Sequence, residues 1–265
     1  MKFTLITLLI CSMSGCGSAR QPTEPSANNG DHQDPTADEV AAQEAVIAVT
    51  ERLRGNVTID EKKPHRPVIA VSFTTTRVTD ADLLHLKELT SLQTLDLTFT
   101  QVTDDGQLHL KGLTSLQTLD LTFTQVTDDG LLYLKGLTSL QTLDLARTQV
   151  TNSGLLHLKG LTSLQTLGLA DTQVTDDGLL HLKGLTSLQR LRLSSTQVTD
   201  GGLLHLKGLT GLQTLGLAGT QVTDDGLLHL KGLTSLRMLS LVNTQVTEFG
   251  REKLRKPLPN CKVYR

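Results

Sequence analysis

The feature that most constrains this chain is a run of nearly identical 24-residue segments. The segment from Leu116 reads LQTLDLTFTQVTDDGLLYLKGLTS, and the next, from Leu140, reads LQTLDLARTQVTNSGLLHLKGLTS. Further starts fall at Leu92, Leu164, Leu188, Leu212 and Leu236. One step back reaches Val68, where Val68, Val71, Phe73, Thr76 and Val78 occupy the same slots. Eight units thus fill residues 68–247, the first degenerate as an end unit should be. One such unit cannot bury its own apolar face, but stacked units can, each against its neighbours. Only 3% of residues are aromatic and there is no Trp. That suits a core made of one small unit copied many times.

Two periods coexist within a unit. In LxxLxL the last two leucines are spaced by two, so Leu95 and Leu97 point inward from a short strand. Val102 returns the chain to the core. Thr103-Asp104-Asp105-Gly106 then opens a helix, with Thr103 or Asp104 as its cap and acids near its positive end. Leu110 and Leu113 turn inward, and Gly112 is expected to end the turn. The pattern predicts an α/β solenoid, a right-handed horseshoe with parallel strands on the concave face and short helices on the convex face.

The pattern LxxLxLxxTxV resembles the leucine-rich repeat family over Val68 to about Thr247. Where that family commonly has Asn or Cys, a threonine column runs from Thr76 to Thr244, its hydroxyls expected to bond the backbone of neighbouring loops. The TDxGLxxL helix is similar to the cysteine-containing subclass known also from F-box proteins. The resemblance implies a binding module and no enzymatic activity. A cytosolic ubiquitin-ligase adaptor is a distant alternative resting on subclass alone.

The flanks differ in composition. Lys2, the apolar run Phe3–Ile10 and the small residues after it have the order of a secretory signal at residues 1–15. Met13-Ser14-Gly15-Cys16 resembles a bacterial lipobox, which implies lipidation of Cys16. Gly17 stands where an Asp would favour retention at an inner membrane, so an outer-membrane envelope lipoprotein is expected. Residues 16–36 are polar and Pro-rich, the composition of a disordered tether. Residues 37–67 read as an N-terminal helical cap, with a helix begun by Thr36 and stopped by Gly55, and residues 248–265 as a C-terminal cap. The ending LPNCKV is similar to that of many bacterial proteins with this repeat. With Cys11 removed and Cys16 lipidated, Cys261 would have no disulfide partner.

Repetition also bears on chemistry. His85, His109, His157, His181, His205 and His229 form a column interrupted by Tyr133. Each sits on a different helix, too far apart for zinc geometry, so a solvated face is expected. Lysines at the helix exits and paired acids at the entries read as structural charges. There is no phosphate loop, no CxxC and no asymmetric catalytic cluster. A formal charge of −2 gives no basic field, so nucleic acid is not expected as a partner. No cofactor is expected.

The concave slots are where the units diverge. Asp96, Asp120 and Asp144 fall in one column at a strand spacing of about 4.8 Å. Like charges this close are mildly unfavourable unless a cationic partner, Arg147 or a calcium ion, relieves them. Phe99 and Phe123 are expected to stack beside them, partly exposed at the strand exit, followed in the same slot by Arg147 and Asp171. Arg190 and Arg192 mark the sixth unit. Aromatic rings beside charge in a concave wall suit the anchors of a protein interface. These nine residues form the candidate binding face, with a protein partner expected and membrane contact through the lipid only. A structural or self-associating envelope protein and a binder of glycan or envelope polymer are the alternatives, the latter weakened by the absence of Trp.

Overall fold

A computed structural model of the protein describes residues 36–63 and 65–265. The secretory pattern, Cys16 and the tether up to residue 35 lie outside the described residues. Ten strands form one sheet in sequence order: β1 (Asn56–Ile59), β2 (Val68–Ser72), β3 (Thr94–Asp96), β4 (Thr118–Asp120), β5 (Thr142–Asp144), β6 (Thr166–Gly168), β7 (Arg190–Arg192), β8 (Thr214–Gly216), β9 (Met238–Ser240) and β10 (Lys262–Tyr264). All neighbours from β2 onward are parallel and in register at the 24-residue period, so Leu95, Leu119 and Leu143 lie side by side. β1 alone runs antiparallel, against β2.

Each outer segment is one α turn continued by one 3-10 turn, as in Asp104–Gln107 followed by Leu108–Leu110. The seventh unit has only the 3-10 part, Gly226–Leu230. A single core runs between strands and outer turns. Seven leucine or valine columns supply it, and Leu116, Leu119, Leu121, Val126, Leu131, Leu134 and Leu137 of one unit are all fully buried. Gly112 does not stop its turn by a left-handed residue, since Gly219 is the one described glycine with positive φ.

The ends are covered by different means. The helix Ala37–Leu53 begins at Thr36, whose side chain accepts from the Glu39 N–H, and ends at Arg54 in the left-handed region. It buries Val46 and Thr50 against the first unit, and β1 extends the sheet. At the other end the helix Glu248–Arg255 buries Gly250 and Leu254, and β10 pairs with β9.

The outer wall carries an inter-unit device. Asp80 Oδ1 accepts from the Thr103 N–H and its Oδ2 from the Thr103 hydroxyl, at 2.9 and 2.7 Å. The same two bonds recur from Thr127 to Asp104, Thr151 to Asp128, Thr199 to Asp176, Thr223 to Asp200 and Thr247 to Asp224. Asn152 substitutes by accepting from the Thr175 N–H and donating to its hydroxyl. The threonine also caps its own turn, Thr103 Oγ1 accepting from the Asp105 N–H. A Cβ on Gly106 would collide with Asp80 Oδ1, and one on Gly130 with Asp104 Oδ1. TDxG is therefore a coupling between consecutive units: a hydroxyl donor, a carboxylate acceptor for the next unit, and a glycine that leaves room for the previous acid.

Candidate functional site

The candidate face begins where each strand ends. Thr75, Phe99, Phe123, Arg147, Asp171, Ser195, Gly219 and Asn243 all have positive φ, between 55° and 70°. For residues other than glycine this conformation costs on the order of 1 kcal/mol. From Thr75 to Gly219 it is held by a ladder in which each N–H donates to the strand exit of the next unit, Phe99 to the Thr122 carbonyl at 2.9 Å and Arg147 to that of Ala170 at 2.9 Å. The apolar period of the repeat does not display this left-handed turn. Asp171, Gly219 and Asn243, residue types that tolerate it, were its signal in the sequence.

The aspartates help make that turn. Asp96 Oδ1 accepts from the Thr98 N–H, Asp120 Oδ1 from Thr122 and Asp144 Oδ1 from Ala146, each near 2.9–3.0 Å. Their second oxygens have different fates. Asp96 Oδ2 accepts from the Thr74 hydroxyl at 2.6 Å and the Ser72 hydroxyl at 3.4 Å. Burial works to raise the Asp96 carboxyl, but the bonds from Thr74, Thr98 and Ser72 together hold it below its usual range. Asp144 Oδ2 pairs with Arg192 at 2.9 Å, two strands away. Gly168 on the strand between makes this possible, for a Cβ there would strike Asp144. Asp120 Oδ2 has no partner among the described residues.

Arg147 does not serve the aspartate column. Its Nε donates to Asp171 at 3.0 Å, and its guanidinium lies 4.4 Å from the centre of the Phe123 ring. Phe123 in turn stacks on Phe99, with centroids 4.1 Å apart and planes 21° apart. The relieving cation on the strand column is Arg192, because the left-handed turn swings Arg147 onto the strand-exit edge. Phe99, Phe123, Arg147 and Asp171 thus form one continuous stack over four units. Phe99 is its open end, 52% exposed. Arg190 is exposed and has no partner among the described residues. The structure joins six of the nine residues, Phe99, Phe123, Arg147 and Asp171 in the stack and Asp144 with Arg192 in an ion pair, while Asp96 and Asp120 bond residues outside the set and Arg190 stands apart.

Two other columns depart from expectation. Thr100 Oγ1 donates to the Leu97 carbonyl at 2.6 Å, and the same bond recurs from Thr124 to Thr244. The threonines thus satisfy their own strand rather than a neighbouring loop, since the chain folds back on itself there. His85 is exposed as expected, but His109, His157, His181, His205 and His229 are half-buried, and Nδ1 of His157, His181 and His205 is buried without a partner among the described residues. Burial, with Lys135 beside His157 and Lys159 beside His181, pushes both imidazoles below their usual pKa. Among the described residues no three His, Cys, Asp or Glu side chains are grouped to hold a metal ion.

The leucine-rich repeat family model matches residues 88–106, 112–135, 136–158 and 184–206. No curated protein sequence matches the chain. Among solved structures, internalin C2 of Listeria monocytogenes is 27% identical, with a TM-score of 0.62 over 86% of this chain and 93% of that one. A leucine-rich repeat protein of Leptospira interrogans is 24% identical, with a TM-score of 0.54 over 68% of this chain and 44% of the other. The ectodomain of the Arabidopsis thaliana receptor kinase GASSHO1/SCHENGEN3, in complex with CASPARIAN STRIP INTEGRITY FACTOR 2, is 20% identical, with a TM-score of 0.50 over 72% of this chain and 26% of that one. The protein has the leucine-rich repeat fold, an architecture typically used as a non-enzymatic binding module. Its repeats and the likeness to internalin C2 support a bacterial-type leucine-rich repeat protein.

Proposed function

We propose that this protein is an extracytoplasmic, lipid-anchored module that binds a protein partner through the concave wall and its strand-exit edge. The observation that carries the reading is the stack Phe99–Phe123–Arg147–Asp171. It places exposed aromatic surface and charge on strained, ladder-held backbone, where side chains are fixed before a partner arrives. Preorganised aromatic and arginine groups are the usual carriers of binding energy in protein interfaces. Asp120 and Arg190 add one charge of each sign with no partner among the described residues. The plant receptor ectodomain, recorded with CASPARIAN STRIP INTEGRITY FACTOR 2, is a precedent for the use of this architecture in recognition. The extracytoplasmic placement is supported by the order Lys2, Phe3–Ile10 and Met13-Ser14-Gly15-Cys16.

The test is crosslinking capture from native cell envelope, comparing wild type with a Phe99→Ala, Phe123→Ala, Asp120→Ala variant of unchanged circular dichroism. A partner held by wild type and lost by the variant is the expected outcome. A partner held equally by both would move the site away from this stack. Palmitate labelling of wild type and its loss in Cys16→Ser checks the anchor separately.

A further inference from the structure

The outer wall carries three parallel rows of exposed side chains that the concave site does not use. One leucine per unit, from Leu84 to Leu228, faces solvent with 39–51% of its surface exposed. Three residues before it stands an exposed acid in four units, Asp105, Asp129, Asp177 and Asp225, and three residues after it an exposed lysine in all seven, from Lys87 to Lys231. Side chains three apart line up along α and 3-10 turns. Each unit therefore presents acid, leucine and lysine in that order, about 5–6 Å from one to the next.

The leucines play no part in the core, which their neighbours Leu131 and Leu134 already fill. Seven half-exposed leucines make an apolar stripe on the order of 500 Å², at the upper end of what a monomer leaves in one patch. A glycine column adds a second observation. Gly160, Gly184, Gly208 and Gly232 have no positive φ, and a Cβ there would meet nothing within 4 Å. The fold does not need glycine at these sites, whereas a bare backbone beside the lysines lets another surface come close.

We infer that this outer face pairs with the same face of a second copy of the chain. The order acid–leucine–lysine is self-complementary in one of the two face-to-face symmetric arrangements. With the two-fold axis along the stripe, the middle units of the two outward-curving faces meet, leucine on leucine, each acid over the partner's lysine row, and each of these units faces its own counterpart. With the axis across the stripe, acid meets acid and lysine meets lysine. The charges therefore select a parallel dimer in which both chains begin at the same end. An anionic membrane surface fits the lysines but not the acid row, and the concave wall stays open in the dimer.

Sedimentation velocity of the full chain over a concentration series tests this. The expected result is a monomer–dimer equilibrium, weakened about a hundredfold by Leu132→Glu, Leu156→Glu and Leu180→Glu together. These sites are on the surface, so circular dichroism should be unchanged. Lys135→Asp with Lys183→Asp should weaken the dimer about tenfold. Adding Asp129→Lys and Asp177→Lys should restore it, because each new lysine faces the partner's new aspartate. A monomer at every concentration overturns the inference, as does a dimer indifferent to the leucine changes or a charge swap without rescue. A monomer that instead floats with vesicles of anionic lipid assigns the stripe to a membrane and equally overturns it.

Discussion

The second and third units, residues 92–115 and 116–139, differ at two positions, Gln107 against Leu131 and His109 against Tyr133. Their inner strands are identical in sequence, yet the two behave differently. Asp96 lies beside Ser72 and Thr74, which donate to it, and its pKa falls. Asp120 lies between Asp96 and Asp144, neither of which has a proton to give. Phe99 offers a ring face at the open end of the stack, while Phe123 is covered by Phe99 on one side and Arg147 on the other. In a solenoid the surroundings of a residue come from the units before and after it. Identical sequence therefore gives a satisfied acid in one unit and an available one in the next.

On the outer side the same pair differs in the opposite sense. Gln107 is 0% exposed, and neither its amide oxygen nor its amide nitrogen has a partner among the described residues. Leu131 fills the equivalent place with no polar atom to satisfy. This makes the second unit the weak link of the stack. The largest effect is expected from copying the defect: Leu131→Gln should cost about 2–5 kcal/mol in urea melts. Removing it should do the reverse, Gln107→Leu adding about 2–4 kcal/mol. If both changes leave the midpoint in place, the burial of Gln107 is not what separates the units.

The coupling between units can be broken next. Gly106→Ala should cost about 1–3 kcal/mol, since its new methyl must displace Asp80. In an Asp80→Ala background the same change should cost less than about 1 kcal/mol, because the obstacle is gone. Equal costs in the two backgrounds would dissociate the glycine from the acid.

A smaller effect sharpens the His109/Tyr133 difference. His157 and His181 titrate below their unfolded value, so between the two values the unfolded chain holds more protons than the folded one. Their contribution should be intact above pH 7 and decline as pH falls through about 6.5 toward the lowered folded values. His157→Tyr with His181→Tyr, which copy Tyr133, should flatten stability between pH 7 and 5 in melts at matched ionic strength. An unchanged slope would mean that these imidazoles titrate freely. Asp96 acts at lower pH: its depressed pKa adds stability above the usual carboxylate range, lost as pH falls through the folded value.

The repeat, the inward leucines, the parallel register and the threonine-started outer turns were legible in the sequence, because the period of apolar residues reports which side chains must be buried. The nine candidate residues were legible as a set of divergent slots, and the stacking of Phe99 on Phe123 followed from strand spacing. Their wiring was not. The sequence suggested Arg147 beside the aspartates, and only the positive φ shared by Phe99, Phe123 and Arg147 separates that slot from the strand column. Likewise Arg192 reaches Asp144 because Gly168 stands between them, a relation over 48 residues that no local pattern displays.

The sequence by itself determined the unit and its stacking, since a 24-residue segment with this spacing of leucines has nowhere to hide them except against copies of itself. Tertiary structure decided which polar groups meet. The Asp–Thr coupling, the unsatisfied Gln107, the half-buried histidines and the aromatic–arginine stack all arise between residues about one period apart or more. Contacts of that kind are set by register and backbone conformation, and composition is silent about both.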